Sequence, residues 1–118
     1  MIRTHKALLS LISAILIIVS TPAYSFMDVK SYRMYKGTDE MKSYVTAAAH
    51  AYGWANSELR GRNQSPLYCE NKQLVLNADN YITILEKSIQ DRKGHPNLET
   101  TSIELLLLKG LQDTFPCK

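Results

Sequence analysis
Two cysteines, Cys69 and Cys117, set the strongest constraint on how this chain can fold. Their meaning depends on residues 1–25, which read as a secretory signal peptide. Arg3, His5 and Lys6 form a short basic start, and an apolar stretch follows from Ala7 to about Val19, interrupted by Ser10 and Ser13. Small residues close the segment. Ala23 stands at −3 and Ser25 at −1 for a cut before Phe26, and a cut after Ala23 is a second option. The apolar run is short for a membrane span and Pro22 follows closely, so cleavage is favoured over a retained anchor. No cysteine stands near the cut, which disfavours a lipoprotein. An exported chain meets an oxidising compartment, where an even pair of cysteines reads as one disulfide, and two cysteines allow one intramolecular pairing. Closing a loop of roughly fifty residues contributes roughly 4 kcal/mol in the chain-entropy account. That is a large share of the net stability of about 5–10 kcal/mol that a small domain has. The alternatives are two buried thiols or a metal site. The second lacks ligand spacing, because His50 and His95 are scattered relative to the cysteines.

Residues 26–118 are enough for a single domain near the small end of what folds alone. The 14 basic residues include Arg3 and Lys6, whereas all 11 acidic residues follow residue 25, so the exported part is close to neutral. No concentrated basic patch marks a nucleic-acid partner. After removal of the signal no segment suits stable membrane insertion.

The pattern along the chain is helical. Val29, Tyr32 and Tyr35 suit a short helix or turn between Met27 and Lys36. Gly37 breaks it, Thr38 is an N-cap, and Asp39 and Glu40 complement the dipole of the next helix. Met41, Val45, Ala48, Tyr52, Ala55 and Leu59 mark one helical face that ends near Arg60 and Gly61, and Gly53 leaves room for a close approach. Residues 61–76 begin with turn chemistry; Leu67, Tyr68, Leu74, Val75 and Leu76 are expected to dock on the core. Asn77 caps a third helix whose buried face is Tyr81, Ile82, Leu85, Ser88 and Ile89, with Gly94 as its stop. The last helix is expected to open at Pro96 or Asn97 and run to Pro116. The leucines at 105–108 make it apolar nearly all round, so it should be central or pair with another subunit. The expectation is an all-α bundle of four to five helices closed by one disulfide, with residues 26–118 as one domain.

Catalytic patterns are missing from the sequence. The cysteines are better used as a disulfide than as a nucleophile, and His50, flanked by alanines, reads as a partly buried or surface histidine. No phosphate loop, zinc-protease motif or nucleophile elbow occurs. The expectation is therefore a non-enzyme without cofactor or metal. One group is left over from folding: Trp54, out of phase with the core stripe and close to Arg60 and Arg62, has the composition of a binding hot spot or else covers Val29 and Tyr32. Two polar connectors could enter a partner's cleft. The first holds Arg62, Asn63 and Gln64; the second holds Arg92, Lys93, His95 and Asn97 and is favoured because it joins two firm helices.

Several segments then fall in a familiar order: Met41-Lys42-Ser43-Tyr44-Val45, Tyr52-Gly53-Trp54-Ala55-Asn56, Pro66-Leu67-Tyr68-Cys69, Leu76-Asn77-Ala78-Asp79-Asn80-Tyr81-Ile82 and the closing Gly110-Leu111-Gln112-Asp113-Thr114-Phe115-Pro116-Cys117. Over about residues 38–118 this order resembles the Rap/Tai type of immunity proteins of type VI secretion systems. Glu70 departs from the family, where a proline is expected, and Gly110 stands where alanine is commoner. The resemblance implies a periplasmic protein that neutralises a peptidoglycan amidase, a papain-like cysteine hydrolase, by covering its catalytic cleft, often as a homodimer. A small periplasmic chaperone of the acid-stress type is the alternative, and would use the leucine-rich last helix to expose apolar surface.

Overall fold
Each helix starts where a side chain can accept a hydrogen bond from the exposed first-turn amides. In the computed structural model, which describes residues 26–118, Asp28 accepts from the Ser31 amide and opens α1 (Val29–Tyr35). Thr38 accepts from Met41 and opens α2 (Asp39–Gly61), with Asp39 and Glu40 in the first turn. Asn77 and Asn80 form a reciprocal capping box at the start of α3 (Ala78–Asp91). Ser102 caps α4 (Ile103–Thr114). The signal-peptide reading of residues 1–25 lies outside the described residues. Among those described, no helix is long and apolar enough to cross a membrane.

Residues 26–118 form an all-α fold of four α-helices closed by one disulfide. Helix α4 packs on α2 and α3, and α1 lies on α2 and on a short 3-10 turn at Leu98–Thr100. The core gathers Val29 and Tyr32 from α1, Met41, Val45 and Ala49 from α2, Leu85 and Ile89 from α3, and Ile103, Leu106, Leu107 and Leu111 from α4. The run of four leucines thus splits by its step of about 100° per residue: Leu106 and Leu107 are buried, Leu108 is half-buried and Leu105 is exposed. Where α3 and α4 cross there is no room for a side chain. A Cβ on Gly110 would lie 2.8 Å from Ile84 Cγ2 and 2.9 Å from the Ile84 carbonyl oxygen.

Cys69 and Cys117 are bonded, with Cα atoms 4.9 Å apart across a separation of 48 residues. The bond joins the α2–α3 connection to the tail beyond α4. Around it the Cys69 amide donates to the Phe115 carbonyl at 2.8 Å, and Gln112 donates to the Leu67 carbonyl at 3.2 Å.

Four expectations are corrected. The last helix begins at Ile103 rather than at Pro96 or Asn97. Before it the chain makes the 3-10 turn and is then extended at Thr101 and Ser102: Val29 donates to the Thr101 carbonyl, Ile103 donates to the Met27 carbonyl, and Asp28 bridges Ser102. Helix α3 ends at Asp91, ahead of Gly94, because Arg92 turns back on Ser88. Leu74 and Val75 face solvent, Val75 at 89 % exposure, since the chain turns at Asn71, whose carbonyl and side chain accept from Leu74 and Gln73. On α2 the stripe drifts with helix length, so that Ala49 and Asn56 are fully buried while Ala48 and Ala55 are only half-buried.

Candidate functional site
Asn56 shows how the sequence builds the region around the disulfide. At 1 % exposure it is among the few buried polar residues, and both ends of its amide are used. Its oxygen accepts from the Leu67 amide at 2.7 Å, and its nitrogen donates to the Tyr68 carbonyl at 3.1 Å. An extended segment cannot satisfy its own backbone, so a buried amide side chain supplies the missing partners. Tyr68 is thereby pressed into the core against Phe115, with ring centres 6.5 Å apart.

Trp54 lies on the opposite side of α2 from the core stripe and is 77 % exposed. It does not cover Val29 or Tyr32, which are buried in the core cluster. It is instead one wall of a shallow hollow of about 270 Å³. Gly53 lies in that hollow, where a Cβ would meet nothing within 4 Å. His50, Tyr68, Glu70 and Tyr81 line the rest. His50 stands edge-on to Tyr81, with ring centres 6.2 Å apart and planes at 85°. Burial, reinforced by the nearby Glu70 carboxylate, pushes the Tyr68 hydroxyl up to about 12 and shifts Tyr81 in the same direction.

The first connector extends from the end of α2. Arg62 is held by Glu58, one helical turn back, at 2.7 Å, and both are exposed. Asn63 adopts a left-handed conformation at φ 56°, which asparagine tolerates, and the Gln64 amide donates to the Leu59 carbonyl. The second connector is more firmly built. The Arg92 guanidinium donates to both the carbonyl and the hydroxyl of Ser88 at 3.0 Å, the His95 amide donates to the Arg92 carbonyl, and Gly94 takes φ +88° at the bend. Arg92 and His95 line an apolar hollow of about 190 Å³ whose other walls include Leu98, Leu105 and Lys109. Lys93 and Asn97 are exposed beside it.

The residues singled out in the sequence therefore form separate groups. The hollow beside Trp54 and the hollow beside Arg92 and His95 have no lining residue in common. Sequence reasoning missed Glu70 and Tyr81 as neighbours of Trp54, and Leu105 and Lys109 as neighbours of His95. These contacts join residues distant in the chain, and no local pattern encodes them. Among the described residues, no group of three His, Cys, Asp or Glu side chains is placed to hold a metal ion. No family model, curated protein or solved structure matches this chain.

Proposed function
We propose that this chain is a periplasmic immunity protein that binds and sterically blocks a type VI secretion peptidoglycan amidase toxin, protecting the producing cell and its kin. One observation carries the reading. Three segments on which the family resemblance rests meet at a single place. Asn56, from the Tyr-Gly-Trp-Ala-Asn segment, holds Leu67 and Tyr68 of Pro-Leu-Tyr-Cys, and Cys69 is bonded to Cys117 of the terminal Phe-Pro-Cys. The order of short motifs is thus the order of one tertiary contact, which makes it more specific than its pieces.

A steric inhibitor needs a rigid frame and a protruding surface, because order already present in the free protein lowers the cost of binding. The disulfide and the Asn56 clamp supply the frame. The turn with Arg92, Lys93, His95 and Asn97 is the preferred element to enter a catalytic cleft, because the two Ser88 hydrogen bonds preset its shape. A homodimer of the immunity protein belongs to the same reading. The chaperone reading has less support: of the four leucines at 105–108, Leu105 alone is exposed, so α4 would have to rearrange to offer apolar surface.

The test is co-expression in the periplasm with the product of the neighbouring gene, which this reading expects to be a Cys/His hydrolase. The protein is expected to prevent lysis, and a version lacking residues 1–25 is expected to fail. Combined Lys93→Glu and His95→Glu substitution is expected to weaken protection by at least about tenfold in toxin dose, as for loss of a binding hot spot. Lysis that proceeds unchanged with the exported protein present would refute the reading for that pair.

A further inference from the structure
The hollow over Gly53 combines features that folding does not require. Trp54 presents its indole to solvent at one wall, although burial would have been favourable. Gly53 keeps the neighbouring surface open in the interior of a 23-residue helix, where alanine would favour the helix. Glu70 puts a half-buried carboxylate in the same hollow, and it forms no ion pair among the described residues. Its charge reaches the Tyr68 and Tyr81 hydroxyls. Aromatic faces and an unpaired carboxylate together attract a cation. A planar guanidinium suits them better than an ammonium, since it can stack on the indole while donating to the carboxylate.

We infer that this hollow binds an arginine side chain of a partner protein, stacked on Trp54 and paired with Glu70. The inference deepens the immunity reading and rests on it only for the identity of the partner. The competitor within the molecule is Arg60, whose charge also reaches Tyr68 but which forms no ion pair among the described residues.

Trp54 is the one tryptophan of the sequence, so its emission reports on the hollow directly. The exported protein is titrated with N-acetylarginine amide at constant ionic strength, with N-acetylcitrulline amide as the neutral control of similar shape. The indole N–H resonance of Trp54 serves as a second readout. A saturable response to the arginine compound is expected in the range of about 1–50 mM, as for a single side chain out of its protein context. Citrulline should give none. Glu70→Gln should weaken the response about threefold to fivefold, the scale of one partly exposed ion pair. Gly53→Leu should abolish it by filling the hollow, and Arg60→Gln should leave it unchanged. An equal response to citrulline, no loss in Glu70→Gln, or no response in either readout would overturn the inference. A response seen only in Arg60→Gln would also overturn it, by showing that Arg60 occupies the hollow itself. The titration uses no toxin, so its failure and a failed rescue from lysis are separate results.

Discussion

At the scale of single residues, two helical glycines have opposite surroundings. Gly110 is the contact point of α3 and α4, and an added Cβ would meet a backbone oxygen at 2.9 Å that no rotamer change can move. Gly53 faces open space. Gly110→Ala is therefore expected to destabilise the protein. Overpacking a well-fitted core typically costs about 1–3 kcal/mol, more than the roughly 1 kcal/mol that alanine returns in helix propensity. Gly53→Ala is expected to stabilise it by up to about 1 kcal/mol. Chemical denaturation of the two variants checks the opposite signs. A neutral Gly110→Ala would mean that α3 and α4 can separate at little cost. The expectation that Gly53 leaves room for a close approach is corrected: the close approach is at Gly110, which the sequence placed only in the apolar run of the last helix. What distinguishes them is the identity of the residue that sits opposite.

At the scale of elements, the start of α4 depends on a carboxylate. Glu104 accepts from the hydroxyls of Tyr44 and Ser102 and from the Met27 amide at 3.1 Å, joining α2, α4 and the segment leading into α1. The Tyr52 hydroxyl donates to the Glu104 carbonyl at 2.7 Å. Burial pushes the Glu104 carboxyl up, but these donors outweigh it and hold the carboxyl below its ordinary value. A carboxylate with a depressed folded value stabilises the fold above the ordinary carboxylate range, and that contribution is lost as pH falls through the depressed value. Glu104→Gln should thus be less stable than the parent at neutral pH, and the gap should close as pH falls below the ordinary carboxylate range. Denaturation curves across a pH series read this out, and a gap independent of pH would show that Glu104 acts by packing alone. Tyr44 shifts in the opposite sense. Burial first, then the bond to Glu104, pushes its hydroxyl up to about 12. The sequence placed Glu104 only as a residue of the last helix, because its partners lie 60 and 77 positions away.

At the scale of the whole molecule, the disulfide converts a helical bundle with a loose end into a closed one. Phe115 contributes twice, by its carbonyl to Cys69 and by its ring to Tyr68, so the tail is attached by packing as well as by the covalent bond. Cys69→Ala and Cys117→Ala are expected to lower stability by similar amounts, within the range of about 2–5 kcal/mol usual for loss of a native disulfide from a small domain. The double variant should be no worse than either. Losses that add would show that the two sulfurs contribute separately. The candidate surfaces were less legible than this frame. Trp54 stood out in the sequence because its phase excluded it from the core stripe. Glu70 did not stand out as its neighbour, because it follows a turn-rich connection whose path depends on the Asn56 clamp.

The opening pair of cysteines marks the division between the two levels of information. The sequence by itself determined the helical class, the N-caps Thr38 and Asn77, the α3 positions Tyr81, Leu85, Ser88 and Ile89, and the single pairing open to Cys69 and Cys117. All of these follow from local hydrogen-bonding chemistry, from a period of 3.6 residues, or from there being no other partner. Only the tertiary structure decided that residues 96–102 stay outside the last helix, that Val75 turns to solvent, that Asn56 is buried, and that Trp54 shares a hollow with Glu70. Each of these depends on a contact between residues far apart in the chain, whose energy exists only once the helices have packed.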